Sequence, residues 1–369
     1  MDRNNNRNSG KRTAPRYASN QEFDRYNYVD RDIYSSSRNG RHGIPSRPPK
    51  KKHTGRKVAI VLTSLILVAA IGVLVYAGII SSRINRPQIN TSQYVRQPSA
   101  APTWEVISKD NVVNILLIGA DQMDEGAQRS DSMMLLSIDK DTKTVHLVSF
   151  LRDLYLEIPT LGKNKLNASF SKGGAALTMQ TLENNFRINI DKYIMTDFSN
   201  FSAIIDKMGG LDIEMTKEEA AYMNKIIHTK CKEGSNHLNG ASALYFSRMR
   251  YLDSDFGRTG RQRQVIETML SKMKKQSPTE LTKMMYDYAP LVTTNLSDSE
   301  LLYLCSIGHE ITSNTPKTMY VPAKGTYEDK NLDVGAVLVP DLEKNCEKLR
   351  EFLYGQDENG SAISSSSQP

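Results

Sequence analysis

The sequence predicts an α/β fold, a central mixed β-sheet sandwiched between helices and preceded by one transmembrane helix. Three observations carry this. Strand-length apolar segments alternate with helix-period segments from residue 112 to residue 354, the pattern of a sheet covered by helices. Those residues number about 250, which suits one domain. Ahead of them, residues 58–80 (VAIVLTSLILVAAIGVLVYAGII) form an uncharged apolar run.

Residues 112–119 (VVNILLIG) form an apolar run of strand length interrupted only by Asn114, as in a central strand buried on both faces. Residues 133–138 and 144–150 read as the next two strands, joined by a DKDTK turn. A helix is expected over 175–186 after the Gly173-Gly174 break, then a short strand at 193–196. A helix at 198–208 ends at Gly209-Gly210. A strand at 211–215 and a helix at 217–228 follow. Helices at 238–249 and 258–275 flank a loop rich in Arg and Asp, strands recur at 318–321 and 336–339, and a helix closes at 341–354.

Residues 1–57 hold 15 Lys or Arg against 5 Asp or Glu, while the whole chain carries only +7. The remainder is therefore net acidic, and the basic balance gives no reason to expect a nucleic-acid-binding globule. This tail has almost no aliphatic residues and is expected to be disordered, with no helix-turn-helix pattern. At about 1.5 Å per residue, the 58–80 run is long enough to cross a hydrocarbon core of roughly 30 Å. Its PPKKKHTGRK flank outweighs Arg83 and Arg86, which predicts an uncleaved signal anchor with the N-terminus cytoplasmic and residues 81–369 extracellular. Residues 81–104 read as a linker, 105–355 as the extracellular domain, and 356–369 as a Ser-rich disordered tail. Of three cysteines, Cys231 and Cys305 are the preferred disulfide, because Cys346 lies in a charged helical run. The absence of C-x-x-C argues against a thiolate metal site.

The segment 243–266 (ALYFSRMRYLDSDFGRTGRQRQVI) carries Arg248, Arg250, Arg258, Arg261 and Arg263 around Asp253 and Asp255. Arg presents a planar fork of donors that fits phosphate oxygens bidentately, so several forks on one loop point to a polyanion such as a diphosphate. Arg129 (GAQRSDS) and Arg152 (SFLRD) add to this supply. Asp121 and Arg152 fall at carboxyl ends of strands, where α/β sheets gather ligands. Asp121 and Asp131 are hard-oxygen ligands of the kind Mg²⁺ accepts together with substrate phosphate and water. Singly, each has a plainer reading: an Asp after a strand is also a helix cap, and Arg152-Asp153 is also a surface ion pair. The methionine-rich segments (Met133-Met134-Leu135-Leu136, Met195, Met208, Met215) read as core or as the lining of an apolar groove. No P-loop occurs.

The ordered set Gly119-Ala120-Asp121, Arg129-Ser130-Asp131, Ser149-Phe150-Leu151-Arg152-Asp153, Lys165-Leu166-Asn167-Ala168, the Gly173-Gly174 and Gly209-Gly210-Leu211 pairs, and Arg248-Met249-Arg250 through Asp255-Phe256-Gly257-Arg258 to Arg261-Gln262 resembles the LytR–CpsA–Psr family over roughly residues 110–275. The resemblance implies a LytR–CpsA–Psr-like domain that moves a glycopolymer (teichoic acid, capsule or secondary wall polysaccharide) from undecaprenyl pyrophosphate to the C6 hydroxyl of muramic acid in peptidoglycan. It implies that Asp121 and Asp131 hold Mg²⁺, and that Arg129, Arg152, Arg258 and Gln262 bind the pyrophosphate with Arg248 and Arg250. Asp255 is the candidate to orient or deprotonate the sugar hydroxyl, and Asp253 competes for that role. Pyrophosphate hydrolysis is a possible side activity with water as acceptor. The rival reading is a non-catalytic anchored receptor or regulator that binds wall polymers or polyprenyl-pyrophosphate lipids.

Overall fold

The structure is a computed structural model that describes residues 54–87, 109–121, 129–190, 192–250, 254–311 and 315–355. The basic tail, most of the expected linker, the Ser-rich tail and Asp253 lie outside these residues. The first element, α1 (Thr54–Arg83), covers the apolar run. Several of its side chains are outside the description, and among the described residues no helix is long and apolar enough to cross a membrane. The expected transmembrane helix is therefore not supported by the fold itself.

The sheet is built from β1 (Val112–Asp121), β2 (Arg129–Asp139), β3 (Val145–Phe150), β6 (Lys192–Asp197), β9 (Thr293–Thr294) and β10 (Lys317–Val321) in the order β10-β3-β2-β1-β6-β9. The antiparallel meander β1-β2-β3 turns on the expected DKDTK segment, where Asp139 Oδ1 accepts from the backbone N–H groups of Asp141 and Thr142 at 2.9 Å. β6 pairs parallel with β1, and β10 parallel with β3. The carboxyl ends of β1, β3, β6 and β10 and the start of β2 thus share one edge of the sheet. Mixed pairing, as expected, follows from meander and crossover connections in one chain.

Strand alternation splits the apolar residues between the two faces. Leu116, Ile118, Met133, Leu135, Val148 and Phe150 pack against Leu166, Phe170, Met179, Leu182 and Phe186 of α2 (Leu166–Phe186) and Leu349 and Leu353 of α9 (Leu342–Tyr354). On the other face Leu136, Ile138 and Val145 meet Leu304 and Ile307 of α8 (Asp298–Ile311). Leu116 is fully buried, so Leu116→Ala would cost about 2–5 kcal/mol. Met133, Met134, Leu135, Met208 and Met215 are buried core, the plainer of their two readings.

A second core joins α3 (Phe198–Lys207), α4 (Lys217–Ile227), α5 (Gly240–Arg248) and α6 (Asp255–Lys274) to the hairpin β7 (Leu211–Met215) and β8 (Gly234–Leu238). Leu238 thus closes a strand where a helix start was expected, and α6 begins three residues before the expected Arg258. Within α2, Gly173 (φ −147, ψ 20) and Gly174 (φ 59, ψ −151) are not helical, so its second half starts after the Gly173-Gly174 break as expected, whereas the first half from Leu166 was not expected. The strand expected at 336–339 is β12 (Gly335–Pro340); its hairpin partner β11 (Tyr327–Leu332), the hairpin β4 (Tyr155–Ile158)–β5 (Gly162–Lys165), helix α7 (Pro278–Tyr288), α8 and β9 were not expected. Cys231 and Cys346 are free thiols, so the expected Cys231–Cys305 disulfide is not formed. Cys231 packs on the second core, whereas α8, which carries Cys305, packs under the sheet.

Candidate active site

The shared sheet edge collects most of the predicted residues. Asp121 is the last residue of β1, and Arg129 faces it across the β1–β2 ladder. Gly119 pairs with Ser132 while Ala120 pairs with Ser130, which leaves Asp131 as the extra residue of a β-bulge. Such a bulge bends the strand and re-aims a side chain, and it occurs where a strand edge meets a site. Gly119 belongs to this arrangement, because a Cβ there would lie 3.3 Å from Ser132 Cβ. Arg152 follows the end of β3.

Asp131 is the hub. Its Oδ1 accepts from Arg152 Nη1 at 2.7 Å, and Arg250 Nη2 lies 3.4 Å from Oδ2. Burial alone would raise its pKa. The hydrogen bond and charge of Arg152, with Arg258 and Arg250 behind it, outweigh burial and hold the carboxyl below its usual range. Asp131 is therefore an anion at neutral pH. Arg152 Nε also lies 3.5 Å from Asp153 and 3.9 Å from Asp255, and Asp153 in turn pairs with Lys165 at 3.0 Å.

Asp255 and Arg258 lie one turn apart on α6, with Gln262 a further turn along, which places all three on one side of the helix. Arg258 Nη2 donates to Asp255, 2.6 Å from Oδ1 and 2.8 Å from Oδ2. Arg258 is only 2% exposed, and its Nε and Nη1 have no hydrogen-bond partner among the described residues. Burial, and the nearby Arg152 and Arg250, pull its pKa down to about 10 against the attraction of Asp255 and Asp131. A buried guanidinium with two unused donors is costly unless an anion completes it. At the other end of the edge, Arg248 Nη2 lies 3.9 Å from Asp121, and its guanidinium stacks 4.1 Å above the Phe198 ring.

Not every expected arginine converges. Arg261 is drawn to other partners, donating to the Met249 carbonyl at 2.6 Å and pairing with Glu219 at 3.3 Å, so it ties helices together. Arg263 lies near Ser149 Oγ at 3.5 Å and over the Tyr320 ring. Arg129 is exposed, and Gln262 is half-buried. Sequence reasoning missed Asp153 and Lys165 as parts of the charge chain, and Phe198 as the platform under Arg248. Only the proximity of Asp153 to Arg152 was visible beforehand.

The fold and this edge define an α/β protein with a cluster of arginines braced by carboxylates at one end of its sheet. Residues 80–351 match the LytR_cpsA_psr family, and the chain belongs to it. It is 33% identical to the Regulatory protein MsrR of Staphylococcus aureus, over 67% of this chain and 76% of that protein. It is 31% identical to the Polyisoprenyl-teichoic acid–peptidoglycan teichoic acid transferase TagV of Bacillus subtilis, over 79% and 78%. The crystal structure of B. subtilis TagV superposes with a TM-score of 0.57 at 31% identity, covering 67% of this chain and 98% of that one.

Proposed function

We propose that the chain is a membrane-anchored, Mg²⁺-dependent phosphotransferase that moves a glycopolymer from a polyprenyl pyrophosphate to the C6 hydroxyl of muramic acid in extracellular peptidoglycan. One observation carries the reading above all: Arg258 is buried with two unused donors beside Arg152, Arg250 and Asp131. That arrangement asks for a polyanion, and the relative TagV is named a teichoic acid transferase.

The acceptor oxygen forms a bond to the phosphorus that bears the glycan. The bond from that phosphorus to the bridging oxygen breaks, and polyprenyl monophosphate leaves. Asp255, or Asp253, orients the hydroxyl and takes its proton. Arg152, Arg248, Arg250 and Arg258 spread the charge that develops on the phosphoryl oxygens. Arg129 and Gln262 extend the same edge toward the rest of the diphosphate. Among the described residues no three His, Cys, Asp or Glu cluster as a metal cage. Two carboxylates at one edge, Asp121 and Asp131, are nevertheless what Mg²⁺ uses when phosphates and water complete its shell. When bound, the ion would supply further charge neutralisation at the diphosphate.

No span is identified among the described residues, and the anchor reading draws instead on the exposed apolar side chains of α1. Leu65, Ile66, Leu67 and Val68 are consecutive, so they point all round the helix, and all are at least 60% exposed. A surface of that kind suits lipid far better than water. The second reading, an anchored regulator, draws on the name of the staphylococcal relative. The test incubates the full chain with a polyprenyl-pyrophosphate-linked glycan and a peptidoglycan oligomer. Glycan joined to peptidoglycan with release of polyprenyl monophosphate is expected; binding without either product would leave the regulator.

A further inference from the structure

The end of α1 does not lead directly into a loose linker. Ile80 is buried against the body, and Tyr76 stacks on Tyr286 of α7 with ring centroids 6.1 Å apart. The Arg83 guanidinium lies 4.2 Å from the centre of the same Tyr286 ring. Past the helix, Asn85 forms a parallel bridge with Thr293 of β9, and Arg86 pairs with Asp298 at the start of α8. An aromatic stack, a cation on its ring, a backbone bridge and an ion pair thus fasten one short stretch to α7, β9 and α8.

This attachment lies close to the cationic edge. Asn85, Thr293, Met195 and Ile118 face one another on successive strands. Asp121 lies three residues beyond Ile118. Three strand spacings of about 4.8 Å and three residues of about 3.3 Å give a separation of roughly 17 Å. A free linker over residues 81–104 would instead have a root-mean-square span of about 27 Å with no fixed direction.

We propose that this stretch is a fixed joint that seats α7 against the bilayer and presents the cationic edge to diphosphates still embedded there. The inference rests on the anchored phosphotransferase reading and adds to it the partner surface: the lipid headgroup layer. α7 carries Glu280 and Asp287 beside Lys283, so its charge is near balance and the match to that layer is one of polarity and of the tyrosine pair. Tyr76 and Tyr286 form a tyrosine pair at the end of an apolar helix, where amphipathic rings favour the headgroup layer. That layer is only about 5–8 Å thick on each side of the hydrocarbon. A diphosphate confined to it is reached more readily by a site held at fixed height than by one on a wandering tether.

The test uses the full chain in vesicles of phosphatidylglycerol and phosphatidylethanolamine, with and without the paired substitutions Arg86→Ala and Tyr286→Ala. Two donors carry the same glycan, one on a long polyprenyl pyrophosphate in the vesicle and one on a short, water-soluble isoprenyl pyrophosphate. The substitutions are expected to lower transfer from the embedded donor roughly tenfold and to leave the soluble donor within about twofold. Equal loss on both donors, or no loss on either, overturns the joint. If the unaltered chain transfers from neither donor, the phosphotransferase reading fails instead, and the joint is read optically. The chain has one tryptophan, Trp104, so Lys283→Trp in a Trp104→Phe background places a single fluorophore on α7. Headgroup-spin-labelled lipid should quench it in the intact chain and much less once the joint is cut; no quenching in either refutes the seating.

Discussion

Removing the Asp255 carboxylate separates its structural role from its chemical one. Arg258 is 2% exposed and Asp255 is its close partner at 2.6 Å. Asp255→Ala leaves a buried cation uncompensated, a loss of about 3–5 kcal/mol for pairs of this kind. For a domain of this size that corresponds to a fall in Tm of about 10 °C. Arg258→Met removes the buried charge and keeps the volume, so it should cost less than Asp255→Ala. The double substitution should recover part of the loss of Asp255→Ala, because the orphaned cation has gone. Urea unfolding of the three variants and the unaltered chain measures this directly. An anion that completes Arg258 should also raise the Tm of Asp255→Ala more than that of Arg258→Met. If Asp255→Ala costs under about 1 kcal/mol, or Arg258→Met costs more than it, then Arg258 is not held as a buried cation and the argument for a polyanion site fails.

Two further outcomes follow from single residues. The carboxyl of Asp131 titrates below its usual value in the folded chain, so the stability it contributes is complete above about pH 4 and is lost as pH falls through the lower folded value. Asp131→Asn should therefore flatten the acid side of a urea-midpoint profile below about pH 4, and an unchanged slope would show that the Arg152 pairing carries no linkage. Gly210 has φ +76, and a Cβ there would lie 2.7 Å from the Leu238 carbonyl and 2.5 Å from His237 Nε2. Gly210→Ala should cost about 1–3 kcal/mol in thermal unfolding, and a neutral result would mean the β7–β8 hairpin shifts freely.

The sheet was legible in the sequence because its strands are buried on both faces and read as apolar runs. The order in which they pair was not, since residues 193–196 carry nothing that says they will lie beside 115–120. The region between residues 276 and 317 yielded no element, although two helix starts were written there. Ser277 with Glu280 forms a capping box, and Ser297 with Glu300 has the same pairing. Leu281, Met284, Met285 and Tyr288 fall at helical spacing after the first of these caps, so that helix was legible and was passed over. At the site, the residue types were visible and their directions were not. Arg258 and Arg261 look alike in the sequence and lie only about 60° apart around the helix, yet their partners part them: one guanidinium goes to Asp255 and the other to the Met249 carbonyl and Glu219. The bulge at Asp131 is a register shift, a property of two strands together, and no reading of one strand reveals it.

That register shift bears on which ligand the edge prefers. In the folded chain each cation already has an anion: Arg152 and Arg250 share Asp131, Arg258 holds Asp255, Lys165 holds Asp153, and Arg248 faces Asp121. Without those carboxylates, guanidinium groups this close would repel one another and leave the edge. The same carboxylates compete with any incoming anion for the donors they hold in place. A ligand with one charge gains little by displacing them. One with several charges, reaching Arg152, Arg250 and the unused donors of Arg258 together, gains bidentate bonds at each without first having to order the side chains. The braced arrangement thus favours an anion of several charges over a simple monoanion, in keeping with the diphosphate proposed as its ligand.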